Sequence, residues 1–323
     1  MSNIDALTKK LMDDNEVFAD AFNFLLYNGE QKIKPEDLKP LDTNSISVEI
    51  NDTKVSSAVQ KNRDVFKILS AKKTDKVGFL ILGVENQAKI HYAMPVRAML
   101  YDSMQYASQV DLKSKENRKN KKYTTSDEFL SGFRKKDKLI PVITLVIYFG
   151  SKAWDGPTNL KEMFIDVDET ITSYLPSYKI NLIHPDLPDK ELEKLRSELG
   201  IVMQFIKNSN DKKRLLESLE RNKRLHKVSI VSATLIKETT GLNLKINKEK
   251  ESIDMNKGVK ELLEDSKKEG EKKGEKKGEK KGELNTVYKI IKTGMLSIEQ
   301  AAKSIGLTKE QLLEGFKEYN LVL

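Results

Sequence analysis

The fold is decided by residues 63–109, which read RDVFKILSAKKTDKVGFLILGVENQAKIHYAMPVRAMLYDSMQYASQ. Two segments of this stretch, Arg63–Ala71 and Gly78–Gln87, are strand-like and flank a short polar turn. The second segment is apolar until Val84 and then changes abruptly to Glu85-Asn86-Gln87. A helix is predicted directly afterwards, over Met94–Val110. An ionisable residue at the end of a buried strand is a common feature of functional sites, so the sequence predicts a site here.

Segments on either side of this stretch indicate an α/β fold with a mixed sheet. Residues 12–28 carry apolar side chains at helical spacing and are followed by Gly29, which predicts an amphipathic helix. Ser45–Ile50 alternates weakly between apolar and polar residues and is a candidate strand. Leu139–Phe149 is β-branched and apolar on both faces, which is typical of a central strand covered on both sides. We expect it to pack beside Gly78–Gln87.

Residues beyond 157 predict a helical C-terminal extension. We divide the chain into a core at 1–157, a helical subdomain at 158–242, a charged repeat at 243–283 and a small helical module at 284–323. Helices are predicted at Leu192–Ile206, Lys212–Leu225 and Val228–Thr239. In the last module, Ser297 with Gln300 and Thr308 with Gln311 fit capping boxes.

The charged repeat has two interpretations. Gly-Glu-Lys-Lys recurs between Gly270 and Gly282, and each interior glycine costs about 1 kcal/mol of helix stability relative to alanine. The segment is therefore either a charged linker or a helix that forms against copies of itself. The second alternative predicts a homo-oligomer assembled through the repeat.

Composition excludes several classes of site. The 323 residues include no cysteine and three histidines, which are far apart in the sequence, so disulfides and thiolate or clustered zinc sites are not expected. A hard, oxygen-bound cation such as Mg²⁺ remains open. Neither a signal peptide nor an apolar run of the roughly 20 residues that span a bilayer occurs. The sequence thus predicts a soluble, cytoplasmic protein without a membrane partner.

The net charge of +8 is concentrated in one block. Leu112–Lys138 contains ten Lys/Arg and four Asp/Glu residues, so this block alone carries +6. Such a block is typical of a surface that binds a polyanion. A solvated, mobile loop is the alternative that charge alone leaves open.

Two acids on consecutive predicted strands indicate a metal site. Asp64 and Glu85 can converge at one end of the hairpin, as hydrolysis of a phosphodiester with Mg²⁺ requires. Side chains alternate along a strand, so Glu85, Gln87 and Lys89 are expected on one face, and the carbonyl of Asn86 adds an oxygen ligand. The alternative is that Glu85 is an ordinary surface group at a strand end.

The predicted helix after this strand carries Arg97 and Tyr101 one turn apart. An arginine guanidinium binds a phosphate through two parallel hydrogen bonds, which is one prediction for Arg97. The alternative is that Arg97 pairs with a core carboxylate and that Tyr101 packs inside.

Several motifs together resemble one family. They are Arg63-Asp64-Val65, Ile81–Gln87, His91–Arg97 with Tyr101-Asp102, Asp127–Phe133, Pro141–Gly150, Trp154-Asp155-Gly156 and the repeat tail. The chain resembles the Rpn family of recombination-promoting nucleases and transposases, a branch of the PD-(D/E)XK nuclease superfamily. The likeness covers residues 12–160 well and the remainder loosely.

The resemblance implies a restriction-endonuclease-like core and a catalytic set of Asp64, Glu85 and Gln87. Gln87 departs from the superfamily, which has lysine there; glutamine only hydrogen-bonds the water or the phosphate. A further acid from the first helix is implied, with Asp20 the first choice and Glu16 the second. The metal ligands would be Asp64, Glu85, Asn86 and Asp20, around Mg²⁺ or another divalent cation.

The implied activity is that of a metal-dependent DNA endonuclease acting on double-stranded DNA in recombination or mobile-element biology. The residues expected to contact DNA are Arg97, Lys89, Arg118, Lys119, Lys121 and Lys122. The alternative is a catalytically inactive DNA-binding or self-assembling protein that retains the nuclease fold.

Overall fold

The computed structural model describes residues 3–40, 65–73, 76–247 and 249–321, with the backbone alone for residues 70–73, 76–79 and 169. The chain forms two compact units, Met1–Asn256 and Lys257–Leu323. The predicted strand Ser45–Ile50 and the predicted site residue Asp64 lie outside the described residues.

A five-stranded mixed sheet organises the first unit, as the α/β prediction requires. Its strands, in spatial order, are β1 (Leu38–Pro40), β2 (Val65–Lys73), β3 (Lys76–Gln87), β4 (Val142–Tyr148) and β5 (Asn181–Ile183). β1, β2 and β3 are antiparallel neighbours, whereas β3, β4 and β5 run parallel. The predicted hairpin of β2 and β3 is confirmed, and so is the pairing of β4 with β3.

β4 is the buried central strand that the sequence predicts. Leu145, Val146 and Ile147 are each fully buried, so both faces of the strand are covered. The strand begins at Val142, later than the predicted Leu139. The physical reason is that the backbone of Ile140 bonds a side chain, since its N–H donates to Gln109 Oε1 at 2.6 Å and its carbonyl accepts from Gln109 Nε2 at 3.0 Å.

Two helical layers cover opposite faces of the sheet. α1 (Asn3–Asp13) and α2 (Asn15–Tyr27) contact one face, and α3 (Met94–Lys119) covers the other. Neighbouring residues of β2 show the alternation. Phe66 belongs to the cluster that Tyr106 of α3 joins, whereas Lys67 donates to the carbonyl of Asp13 at 2.7 Å, at the end of α1.

α2 matches the helix predicted over residues 12–28. It begins after Asp14, whose carboxylate caps the backbone N–H groups of Glu16 and Val17. It ends at Asn28 and Gly29, which have φ values of 55° and 88°. α1 was not predicted.

α3 extends beyond the predicted end at Val110. Its last turns are polar and lack an apolar period, which is why the sequence did not indicate them. Ion pairs on the helix surface stabilise them, between Lys113 and Glu116 at 2.9 Å and between Lys115 and Asp111 at 2.8 Å.

The remainder of the first unit is mainly helical. The helices are α4 (Ser126–Ser131), α5 (Glu169–Thr172), α6 (Asp189–Leu192), α7 (Glu198–Asn208), α8 (Lys212–Arg221) and α9 (Ile230–Thr240). A two-stranded ribbon joins β6 (Val228–Ser229) to β7 (Ser252–Ile253). The region 158–242, predicted as a helical subdomain, also contributes a strand to the core, because β5 completes the main sheet beside β4. Three residues are too few to show a strand period.

α10 (Met255–Lys292) begins at the boundary between the units. The second unit contains the rest of this helix, followed by α11 (Ile298–Ser304) and α12 (Lys309–Glu318). The Gly-Glu-Lys-Lys repeat is therefore helical. Both predicted capping boxes are confirmed, at Ser297 with Gln300 and at Thr308 with Gln311. The core of this unit consists of Leu284, Val287, Ala301, Ala302, Leu312 and Phe316. None of the helices in the described part of the chain is both long enough and apolar enough to cross a lipid bilayer.

Candidate active site

Glu85 lies at the carboxyl end of β3, inside the parallel part of the sheet. It is in register with Val146 of β4, and its exposed fraction is 0%. The strand pairing continues past it, since Phe149 N–H donates to the Gln87 carbonyl at 2.8 Å. Burying an ionised carboxylate costs several kcal/mol unless charges or hydrogen bonds compensate it. Glu85 is therefore a core acid, and the surface-group alternative is wrong.

Strand alternation groups part of the predicted site on one face. Glu85 and Gln87 are two residues apart, so both side chains lie on the face that α3 covers, while Asn86 lies on the opposite face. Asn86 and Gln87 are both buried. Lys89 is exposed and follows the end of β3 in a bend, so the prediction that it shares this face does not hold.

Arg97 forms an ion pair with Glu85. Its Nη2 lies 3.1 Å from Glu85 Oε2, and its side chain is 25% exposed. The guanidinium also lies over the Tyr101 ring, with Cζ 5.6 Å from the ring centroid, and Tyr101 is buried. Of the two sequence interpretations, pairing with a core carboxylate is the one found. A phosphate contact by the exposed part of Arg97 stays a prediction.

Asp102 connects α3 to β4 and to the segment that leads into β5. Its carboxylate accepts hydrogen bonds from Thr144 Oγ1 of β4 and from Tyr178 OH, each at 2.5 Å. Asn181 Nδ2 of β5 donates to the Thr144 carbonyl at 2.8 Å. Asp102 had no predicted role. The sequence feature that could have indicated Asp102 is the presence of an acid one helical turn after Ala98, on the buried face of α3.

Asp20, the first-choice acid of α2, is buried and has a structural role. One carboxylate oxygen accepts from the Ser197 backbone N–H at 2.8 Å, and the other accepts from Gln31 Nε2 at 3.3 Å. These bonds fasten α2 to the start of α7. Glu16, the second choice, is exposed.

The donor atoms around Glu85 fit a hard cation. Carboxylate and amide oxygens, which Glu85 and Gln87 supply, are the ligands that Mg²⁺ prefers. Within the described ranges, no three His, Cys, Asp or Glu side chains cluster closely enough to hold a metal ion. A second carboxylate would come from Asp64, which immediately precedes β2 in the sequence and lies outside those ranges.

The basic block, which we call the basic arm (residues 112–138), is a built element rather than an open loop. It comprises the end of α3, α4 and the loop that follows. Asn117 is fully buried, and its amide donates to Asp137 Oδ2 at 2.7 Å and to the Gly132 carbonyl at 3.3 Å. The Arg134 guanidinium beside Asp137 holds the pKa of that carboxyl well below its usual range.

The ten cations of the arm divide into four that form ion pairs and six that form none within the described residues; among the four, Lys115 pairs with Asp111 and Arg134 with Asp137. Lys113 and Lys122 both bond Glu116, and these contacts lower the pKa of Glu116 to about 2. The other group is exposed and forms no ion pair with any residue of the described part. Its members are Arg118, Lys119, Lys121, Lys135, Lys136 and Lys138. Of the predicted DNA contacts in the arm, Lys122 alone is paired.

Comparisons with known proteins identify one family. The family model described as "Putative transposase, YhgA-like" matches residues 4–232. Neither the curated proteins nor the solved structures gave a match to this chain. The match spans all five strands of the main sheet together with α3, and it confirms the resemblance to the Rpn type. Because it covers more than half of the 323 residues, the chain belongs to the YhgA-like family of transposase-related, Rpn-type PD-(D/E)XK proteins.

Proposed function

We propose that this protein is a metal-dependent endonuclease that hydrolyses phosphodiester bonds of double-stranded DNA. Membership of a transposase-related family supports a nuclease-like role in mobile elements or recombination. The proposal of metal-dependent cleavage rests on Glu85, which is a fully buried acid at the carboxyl end of a central strand and forms an ion pair with an arginine. Its position is the one that a restriction-endonuclease-like core uses for its site.

The residues that would hold the metal are Glu85 and Asp64, with Asn86 contributing its backbone carbonyl and Asp20 an acid from α2. A bound Mg²⁺ supplies a water of lowered pKa and neutralises charge that develops on the phosphate. Asp20 is the weakest member of this set, because its carboxylate already accepts two hydrogen bonds.

Gln87 would orient the reacting groups. Its amide donates to a phosphate oxygen and accepts from a water, but it has no proton to give or take at neutral pH. A side chain of this kind fixes the direction of attack, which contributes through positioning rather than through acid–base catalysis. The proton of the attacking water would therefore leave to solvent or to the phosphate.

Arg97 and the basic arm would bind the DNA backbone. The guanidinium of Arg97 offers several donors, of which the one at Nη2 meets Glu85. The exposed cations of the arm supply a surface that holds phosphates regardless of sequence.

A second candidate is a catalytically inactive DNA-binding protein. Gln87 supports it, since glutamine occupies the place where the superfamily has lysine. In this case the arm would still bind DNA, and the site around Glu85 would be a structural remnant.

The test is cleavage of supercoiled plasmid by the full chain. Wild type is compared with Glu85→Gln and Asp64→Asn, in Mg²⁺ and in EDTA, and Glu299→Gln on α11 is a matched exposed-acid control. We expect nicking by wild type and by the control in Mg²⁺ alone, and a loss of at least about 100-fold in both site variants. Nicking that persists in Glu85→Gln would exclude this site. DNA binding without nicking by any form would favour the inactive candidate.

A further inference from the structure

We propose that the basic arm contacts duplex DNA about one helical turn away from the phosphate at Glu85, and that α3 sets this distance. Duplex DNA is the partner in the proposed function, on which this inference rests. Three features support it, namely the register of α3 along the sheet, the neutralisation of the acids of α3 and the exposed surface of the arm.

α3 runs antiparallel to β4 and lies along the full length of that strand. Successive turns of the helix contact strand residues that lie progressively nearer the start of β4. The contacts are Arg97 with Glu85 of neighbouring β3, Asp102 with Thr144, Tyr106 with the N–H of Val142, and Gln109 with Ile140. After Gln109 the helix continues beyond the start of the strand as far as Lys119. The arm therefore extends from the end of the sheet opposite to Glu85.

The length of this helix matches the repeat of DNA. An α-helix rises about 1.5 Å per residue, which puts Arg97 and Arg118 about 32 Å apart along the axis. One turn of B-DNA measures about 34–36 Å. Contacts spaced by one turn meet the same side of a duplex, so a straight duplex along α3 reaches both ends without bending.

The acids along this path are compensated. α3 contains three of them, and each has partners of opposite or donating character. Asp102 accepts from Thr144 and Tyr178, Asp111 pairs with Lys115, and Glu116 pairs with Lys113 and Lys122. A polyanion lying along α3 therefore meets no uncompensated carboxylate of this helix.

The end of the arm offers both of the groups that a duplex surface accepts. Its exposed cations, such as Arg118 and Lys119, suit phosphates. On α4, Phe129 and Leu130 are 67% and 84% exposed, and exposed apolar side chains suit the sugar and base edges of a groove. The acids beside them are Asp127, which is exposed, and Glu128, which accepts hydrogen bonds from Thr124 and from the Lys135 N–H. The partner is DNA rather than a protein, because the charge on the unpaired cations of the basic arm is strongly positive.

The experiment measures the spacing of two contacts on a single duplex. The chain has no cysteine, so Tyr92→Cys with Leu130→Cys gives two unique attachment points for photo-crosslinkers, one near each end of α3. A second protein, Tyr92→Cys with Ile165→Cys, is the control, because Ile165 is 85% exposed and lies outside the arm. Each is bound to a long random-sequence duplex in EDTA, irradiated, and the crosslinked nucleotides are mapped in pairs.

We expect paired crosslinks from the first protein that cluster at about 9–12 base pairs, and no second DNA crosslink from the control. The proposal would be overturned by a flat distribution of the distances between paired crosslinks, by a much shorter distance, or by crosslinks from position 130 that reach protein and no DNA. A triple variant, Arg118→Ala with Lys119→Ala and Lys121→Ala, removes three cations of the arm. The slope of the logarithm of the duplex-binding constant against the logarithm of the salt concentration should then become shallower, by up to about 0.9 for each phosphate that is no longer neutralised. The mapping needs no cleavage, so a failure of the endonuclease proposal appears separately, in the plasmid assay.

Discussion

Arg97 Nη2 lies 3.1 Å from Glu85 Oε2, which joins the first turns of α3 to the buried end of β3. The carboxylate of this pair has no exposed surface, whereas a quarter of the arginine side chain remains exposed. The same arginine therefore stabilises the fold around the acid and stands at the edge of the site. Stability and the proposed chemistry of the site are therefore expected to be coupled through this pair.

Removing the arginine should destabilise the first unit strongly. Deleting one partner of a buried ion pair lowers the free energy of unfolding by about 3–5 kcal/mol, so we expect a decrease of this order for Arg97→Ala. Adding Glu85→Gln to Arg97→Ala should recover part of the loss, since the remaining group is then neutral. Trp154, the single tryptophan, lies in the first unit, and its fluorescence in urea reports the unfolding free energy of that unit.

The matched control for this experiment is Lys34→Ala. Lys34 and Glu36 form an exposed pair in the same unit at 4.0 Å, so the urea midpoint should stay near that of wild type. Equal losses in Arg97→Ala and Lys34→Ala would contradict the structural role of the buried pair.

Asp102 should act as one unit with its two hydroxyl donors. In Asp102→Asn a single amide oxygen replaces two carboxylate oxygens, so Thr144 and Tyr178 lose hydrogen bonds to a charged acceptor, worth about 1.5–3 kcal/mol each. Tyr178→Phe removes one of the same bonds. A double-mutant cycle with Trp154 fluorescence should therefore show strong non-additivity.

Tyr92→Phe provides the comparison for Tyr178→Phe. The Tyr92 hydroxyl donates to Asp155 at 3.1 Å in an exposed position, so its removal should leave the transition nearly unchanged. Additive effects of Asp102→Asn and Tyr178→Phe would mean that the carboxylate does not connect α3 to the segment that leads into β5.

Acid should loosen the basic arm over a defined pH window. The pKa of Glu116 is about 2 in the folded protein because Lys122 and Lys113 hydrogen-bond it, against about 4.3 for a free glutamate. Because the folded pKa is the lower one, the stabilisation is complete above about pH 4.3 and is lost as the pH falls towards 2. The protection factors of the amides in residues 112–124, which remove the intrinsic pH dependence of hydrogen exchange, should fall across that window and stay constant between pH 5 and pH 7.

Glu116→Gln separates this effect from the neighbouring acid. The protection factors of its arm should be lower already at pH 7 and show a smaller further decrease in acid, and that remaining decrease comes from Asp137, whose pKa Arg134 also lowers. If wild type and variant followed the same pH profile, Glu116 would not be the titrating group.

Alanine in the repeat should stabilise α10. Gly270, Gly274, Gly278 and Gly282 lie inside the helix, and a Cβ added to any of them meets no atom within 4 Å. Each substitution should add about 1 kcal/mol of local helix stability. The fourfold Gly→Ala variant is expected to show slower amide exchange across the repeat.

Gly294→Ala is the opposite control. Its surroundings are equally open, but its φ of +73° is a left-handed conformation that alanine adopts at a cost. Faster rather than slower exchange should follow around residue 294. Light scattering before and after deletion of 258–323 tests the separate proposal that the repeat drives self-association, and an unchanged mass per chain would end it.

Local patterns in the sequence were sufficient for the framework of the fold. The alternation and apolar runs of β2, β3 and β4 define strands within a few residues of their observed limits, and the capping boxes of α11 and α12 lie where Ser297 and Thr308 predict them. These features depend on the preferences of neighbouring residues, which the sequence displays directly. The position of Glu85 at the end of β3 belongs to the same group.

The tertiary structure alone decided which partners the site residues take. Thr144 and Tyr178 lie 42 and 76 positions from Asp102, and no spacing rule brings either of them to that carboxylate. Asp20, whose predicted role as a metal ligand stays a prediction, accepts a hydrogen bond from a backbone N–H 177 positions away. Such pairings follow from how helices pack on the sheet, because the cost of burying a charge is met by whichever donor the packing brings near. The sequence by itself determined where the acid stands, and packing determined that Arg97 stands beside it.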